Sequence, residues 1–259
     1  MSAAAAERER FVVQLAREIG DGDVVNAASP MTASAALLAR DVHGRGAVVL
    51  HHGIVEPEPT PFRSPAAAGH GEPRGTGAYG QADALQWLDA GRIDVMFVAP
   101  AEIDGAGDMN LSRVGARRLP GGVGAADIVG LARRVVAYRT GGLARSTVRQ
   151  VRHRTATAAE NAGGRRGVAA LVVPGASFAW ERPGIKPRLA SLAADREVDE
   201  LGDEVGFDFD PGEPAVIPEP TAAELDYLRR LDPDGVGDLE FGPARREALA
   251  RLGLVREAA

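Results

Sequence analysis

The sequence predicts an α/β protein with a mainly parallel sheet flanked by helices and a C-terminal helical extension. Three observations predict it. Short apolar runs of strand length alternate with segments of helical periodicity along most of the chain. With 45% apolar residues, 25% charged residues and a formal net charge of -6 over 259 residues, the composition is that of a protein able to bury a full core. The last part of the chain then changes character, from a Pro-rich connector, PGEPAVIPEP, to a capped helical segment.

The opening segment, MSAAAAERERFVVQLAREIG, places Phe11, Val12, Leu15 and Ile19 at helical spacing and reads as an amphipathic helix. Gly20, Asp21 and Gly22 turn the chain, and DVVNAA is an apolar run suited to a buried parallel strand. Ser29 is a candidate N-cap, with Pro30 at the first position of the following helix, MTASAALLAR. GAVVLHH is the second strand. From Glu56 to Gly80 the density of Pro, Gly and Ala predicts a long loop.

ADALQWLDAG returns to helix, and IDVMFVAP, apolar on both faces, is the strongest strand of the chain. GGVGAADIVGLA is a glycine turn opening a helix, and RRVVAYRT and GVAALVVP are further strands. SFAWERPGIKPRLASL predicts a hairpin turning at Pro183 and Gly184. Thr221, with Glu224 three residues on, forms a capping-box pattern. The expected organisation is one α/β domain over 1–215, with 216–259 packing on it as a helical extension.

There is no cysteine, which excludes disulfides, thiolate metal sites and a cysteine nucleophile. The N-terminal segment lacks the pattern of a signal peptide, and no run approaches the roughly 20 apolar residues of a membrane span, so a cytoplasmic protein that does not enter the membrane is expected. The mild acidic excess gives no reason to expect nucleic-acid binding. Ten arginines between Arg113 and Arg154 nonetheless crowd the middle of the chain, which fits either a local anion site or a solvated face. The Gly-x-Ser-x-Gly, Walker and Gly-x-Gly-x-x-Gly patterns are absent.

Five segments occur in an order that resembles the beta-type subunits of the family I coenzyme A-transferases. They are GDVVNAASPMTASAALLAR, GRIDVMFVAPAEIDGAGDMNLS, LPGGVGAADIVGLARRVVAYRT, PRLASLAADREVDELGDEVGFDF and EPTAAELDYLRRLDPDG, spanning Gly20 to Gly235. The resemblance implies a CoA-transferase-like (NagB/RpiA-like) fold and an alpha-type partner completing the site in a heterodimer or heterotetramer. It also implies coenzyme A as part of the substrate, an acyl-CoA or small carboxylic acid as ligand, and no metal. It assigns Gly53, Gly121, Gly122, Gly124, Ala125 and Asn110 to ligand binding, the glycine turn supplying backbone N–H groups to an anion or thioester oxyanion.

The sequence departs from the family at VVLHHGIVEPEP. After this strand the transferases carry the glutamate that forms a covalent thioester with CoA, whereas here His51 stands in its place, followed by His52 and Gly53. An imidazole cannot form that stable thioester, so acyl-CoA chemistry of a hydrolase-like kind is expected, as in the family's ring-cleaving hydrolases. His51 or His52 is a candidate general base, against the alternative of two structural imidazoles. Glu102, where the family usually has glutamine, is a candidate catalytic carboxylate, against an acid paired with an arginine. The competing readings are a transferase that takes its carboxylate from elsewhere and a degenerate scaffolding or ligand-binding subunit.

Overall fold

The structure is a computed structural model and describes residues 3–62, 74–122, 124–157, 167–182 and 184–254. In chain order the helices are α1 (Ala3–Arg17), α2 (Pro30–Asp41), α3 (Gln81–Asp89), α4 (Ala125–Leu131), α5 (Leu143–Ser146), α6 (Val198–Glu204), α7 (Ala222–Leu231) and α8 (Arg245–Arg251). The strands before α4 are β1 (Val24–Asn26), β2 (Val48–His51), β3 (Ile54–Val55), β4 (Gly77–Ala78), β5 (Val95–Val98), β6 (Glu102–Asp104), β7 (Met109–Asn110), β8 (Arg113–Val114) and β9 (Arg117–Arg118). After it come β10 (Arg134–Tyr138), β11 (Thr147–Val148), β12 (Val168–Val173), β13 (Ala176–Ala179), β14 (Arg188–Leu192) and β15 (Ala215–Val216). This is the α/β alternation the sequence predicts, with parallel strands flanked by helices.

The chain forms two compact units, one from residues 1–84 and 219–259 and the other from 85–218. In the first, β1 and β2 run parallel, Val25 opposite Val49, and β3 and β4 continue antiparallel beyond them. β4 is a short strand inside the stretch expected to be a loop, and β3 lies just before that stretch. α2 starts where Ser29 and Thr32 satisfy each other's backbone N–H groups, with Pro30 at its first turn. The apolar face of α1 supplies Phe11, Val12 and Leu15 to the core, where Phe11 meets Phe241 at 5.9 Å between ring centroids. α7 returns against α1 and α2, its N-terminus held by the Thr221–Glu224 capping box.

In the second unit β5, β10 and β12 run parallel with β10 in the middle, and β13 and β14 add antiparallel pairs. Buried Val, Leu and Phe side chains on both faces explain why these strands read as continuous apolar runs. The predicted hairpin corresponds to β13 and β14; Pro183, assigned to its turn, lies outside the described residues. A small sheet of β11, β6 and β7 and a hairpin of β8 and β9 complete the unit. Among the described residues, no helix is long and apolar enough to cross a membrane.

Candidate functional site

The twin histidines occupy the turn between β2 and β3. His51 is the last residue of β2 and pairs with Ile54, so His52 and Gly53 alone form the connection. Both have positive φ, 46° and 86°, which is the signature of the type I′ turn that matches strand twist. Gly53 suits that conformation at no steric cost, and His is among the residues that visit it. The Gly53 carbonyl oxygen accepts from Tyr79 N–H at 2.8 Å, fixing the turn against the β4 segment.

The two rings have different fates. His51 is buried, 2% exposed, and its Nδ1 lies 2.5 Å from the Ala27 carbonyl oxygen at the exit of β1. A carbonyl oxygen only accepts, so Nδ1 carries the proton and the neutral ring holds its lone pair on Nε2. His52 is exposed, and partial burial of its ring pulls its pKa below the ordinary 6.5. The His51 ring sits 4.3 Å from that of His52 and 6.3 Å from that of Phe62, centroid to centroid.

Two further residues, Tyr79 and Glu56, hold this turn. Burial pushes the Tyr79 phenol up, opposed by a hydrogen bond with the Gly53 backbone. Glu56 is pinned rather than mobile: its Oε1 accepts from Val49 N–H at 2.7 Å and its own N–H donates to the Val49 carbonyl at 2.7 Å. Glu240 places Oε1 3.2 Å from Met31 N–H at the start of α2, where burial raises its pKa and a hydrogen bond with Ser29 opposes the rise.

In the second unit Glu102 and Asn110 are both buried and face one another across β6 and β7. Asn110 Nδ2 donates to Glu102 Oε2 at 2.9 Å and to the Arg113 carbonyl at 2.6 Å, while its Oδ1 accepts from the N–H groups of Ser112 and Arg113. The amide is thus fully engaged within the chain. Glu102 Oε2 also accepts from Arg152 N–H at 3.0 Å, and Oε1 lies 3.4 Å from the exposed Arg152 guanidinium. The carboxylate clamps β7 and the segment after β11 to the central strand. Asp104, two residues on, accepts from the N–H groups of Ala106, Asp108 and Val151, and burial keeps its pKa above the ordinary value.

The glycine turn begins with a single 3-10 turn over Pro120–Gly122 and continues through Gly124, φ 76°, into Ala125 at the start of α4. A Cβ on Gly121 would lie 2.7 Å from the Leu111 carbonyl oxygen, so only glycine fits there. The turn therefore packs directly on the residue that follows Asn110. The candidate residues fall into two groups, His51, His52 and Gly53 in the first unit and Glu102, Asn110 and the glycine turn in the second.

A cleft of about 810 Å³ opens beside the β6 turn, lined by Asp104, Asp108, Arg149, Arg152, Lys186 and Phe207 among others. Several of the clustered arginines are paired with acids: Arg133 with Asp94, Arg152 with Glu102 and Arg154 with Asp108. Among the described residues no group of three or more His, Cys, Asp or Glu side chains could hold a metal ion.

The Coenzyme A transferase family pattern matches residues 8–174, well over half of the chain. This chain belongs to the coenzyme A transferase family. No curated protein sequence matches this family member significantly. Among solved structures, the decarboxylase AibA/AibB is 26% identical with a TM-score of 0.78, covering 91% of this coenzyme A transferase family chain and 98% of that one. Glutaconate coenzyme A-transferase from Acidaminococcus fermentans is similar at 18% identity and a TM-score of 0.75, covering 91% and 96% of the two chains. IpdAB from Rhodococcus jostii RHA1 is similar at 18% identity and a TM-score of 0.72, covering 93% and 99%. The last two likenesses establish the fold alone.

Proposed function

We propose that this chain is the beta-type half of an acyl-CoA-directed enzyme in which His51 acts as a general base and no covalent enzyme thioester is formed. One observation carries the reading. His51 stands where the transferases by resemblance carry their glutamate, and its Nδ1 is held on the Ala27 carbonyl so that Nε2 is the basic nitrogen. In hydrolysis, Nε2 takes a proton from water as the hydroxide oxygen bonds to the thioester carbon, or to a β-dicarbonyl carbon. The tetrahedral intermediate then collapses, expelling the thiolate or carbanion, which takes that proton back. Backbone N–H groups would hold the developing oxyanion. An alpha-type partner would complete the pocket, since AibA/AibB and IpdAB are named as two-part proteins.

A second outcome of the same chemistry is favoured by the 26% identity with a decarboxylase. There the thioester carbonyl would accept the electron pair left as carbon dioxide departs, and His51 Nε2, protonated from solvent, would deliver that proton to carbon. The same decarboxylase has also been crystallised with one cysteine replaced; this chain has no cysteine, so any thiol-dependent step is closed to it.

The experiment is to purify the chain with its alpha-type partner, supply acyl-CoA substrates with and without a β-carboxylate, and follow thiol release, carbon dioxide and CoA exchange between acids. Thiol or carbon dioxide release with no enzyme-bound thioester, lost in His51→Gln, supports the proposal. Exchange of CoA between two acids through a covalent enzyme thioester overturns it.

A further inference from the structure

The middle parallel strand of the second unit is followed directly by an arginine that has no carboxylate partner among the described residues. Arg139 follows β10 directly, flanked by the exits of β5 and β12, where α/β sheets commonly take ligands. Its backbone N–H donates to the Val172 carbonyl at 3.0 Å, and its Nη1 donates to the Pro100 carbonyl at 2.8 Å. Among the described residues no carboxylate pairs with it, and its buried Nε has no hydrogen-bond partner. Burial pulls its pKa below the usual guanidinium value; the Tyr138 phenol opposes this and the nearby Arg145 cation adds to it.

Arg145 lies one short turn on, in α5, exposed and likewise without an acidic partner among the described residues. Its guanidinium folds back over the intervening loop, with Nη2 3.5 Å from where a Gly142 Cβ would stand. Gly141 and Gly142, at φ 149° and 65°, hold that loop in a conformation other residues rarely adopt. Arg139, half-buried, and Arg145, exposed, thus flank a glycine loop. Stability alone does not explain such an arrangement, because a desolvated charge without a counter-ion is costly.

We infer that Arg139, Arg145 and the Gly141–Gly142 loop form a binding site for an oxyanion of the acyl-CoA ligand, either a free carboxylate on the acyl chain or a phosphate of the CoA. A guanidinium suits either, since its planar donors match two oxygens at once. The inference rests on the acyl-CoA reading above and narrows it to ligands that carry a second negative group near the reacting end or present CoA phosphate here.

The test is calorimetric titration of the full chain with glutarate and, separately, with CoA, repeated for Arg139→Gln, Arg139→Lys and the exposed Arg145→Gln. At least one ligand is expected to bind, with affinity falling about tenfold or more in both Gln variants, less in the Lys variant, and declining with added salt. Sensitivity confined to glutarate identifies the acyl carboxylate, and sensitivity confined to CoA identifies the phosphate. Binding of neither, or binding unchanged in Arg145→Gln, overturns the site even if Arg139→Gln fails to fold. Loss of partner association with anion binding unchanged also overturns it. The readout needs no turnover, so a chain that binds these anions yet forms a covalent enzyme thioester would refute only the role of His51.

Discussion

His51 Nδ1 and the Ala27 carbonyl oxygen meet at 2.5 Å, joining the end of β2 to the exit of β1. The contact fixes both the orientation and the tautomer of a buried ring. Replacing His51 by Gln is expected to lower turnover about 10²–10⁴-fold, the usual range for a general base, with the thermal midpoint little changed. Steady-state rates of thiol or carbon dioxide release from the complex provide the measurement.

His52 is predicted to matter for the turn and not for turnover. At φ 46° a β-branched residue is strained, so His52→Val should cost about 1–2 kcal/mol, whereas His52→Gly should be close to neutral. Denaturant unfolding of the two variants checks the difference. Equal loss of activity in both, at unchanged stability, would move the chemistry to this ring.

Glu102→Ala leaves Asn110 Nδ2 and Arg152 N–H without their acceptor and is expected to destabilise the second unit by ~2–4 kcal/mol. Glu102→Gln keeps an acceptor oxygen and should cost only about 1 kcal/mol while leaving turnover within tenfold. A loss beyond a hundredfold in a well-folded Gln variant would instead assign Glu102 to the chemistry.

Stability should also fall in acid through Glu224. Burial raises its pKa, but hydrogen bonds from the Thr221 backbone, His43 and the Thr221 hydroxyl outweigh this and hold it below the ordinary 4.5. The folded state therefore binds fewer protons than the unfolded state, and the stabilisation present above pH 4.5 is lost as pH falls through the folded value. Thermal midpoints measured between neutral pH and pH 3, on the native chain and on Glu224→Gln, should converge at the acid end (pH values set for the experiment, roughly spanning the carboxylate range).

Gly121→Ala is expected to perturb the glycine turn, since the added methyl group would meet the Leu111 carbonyl at 2.7 Å. Weaker CoA binding together with a lower thermal midpoint, read by calorimetry and thermal melts, is the expected pair of effects.

Much of this architecture is legible in the residues. The runs around Val24, Val49, Phe97, Val136 and Leu171 are apolar because their strands are buried, and the caps at Ser29 and Thr221 are local contacts that a sequence window contains. β3 and β4 were hidden because two-residue strands carry no periodicity and their pairing spans a Pro-rich stretch. For the His-His-Gly pattern, only the pairing of His51 with Ile54 reveals that His52 and Gly53 are a hairpin turn. Glu240 and Arg139 were illegible as site residues for another reason. What distinguishes them is a neighbour brought close by folding, Met31 in one case, and, among the described residues, a buried Nε without a hydrogen-bond partner in the other.

The first unit is built from two segments separated by the second unit, and this sets the order in which it can mature. Arg8 of α1 is buried against Asp232 and Asp238, each at 2.7 Å, so its counter-ions leave the ribosome only after residues 85–218 have emerged. The internal unit has a head start in folding, while Arg8 and Phe11 of α1 wait for Asp232, Asp238 and Phe241. Premature termination before Asp232 would then leave Arg8 without these counter-ions and Phe11 without its ring partner, and mark the product for degradation.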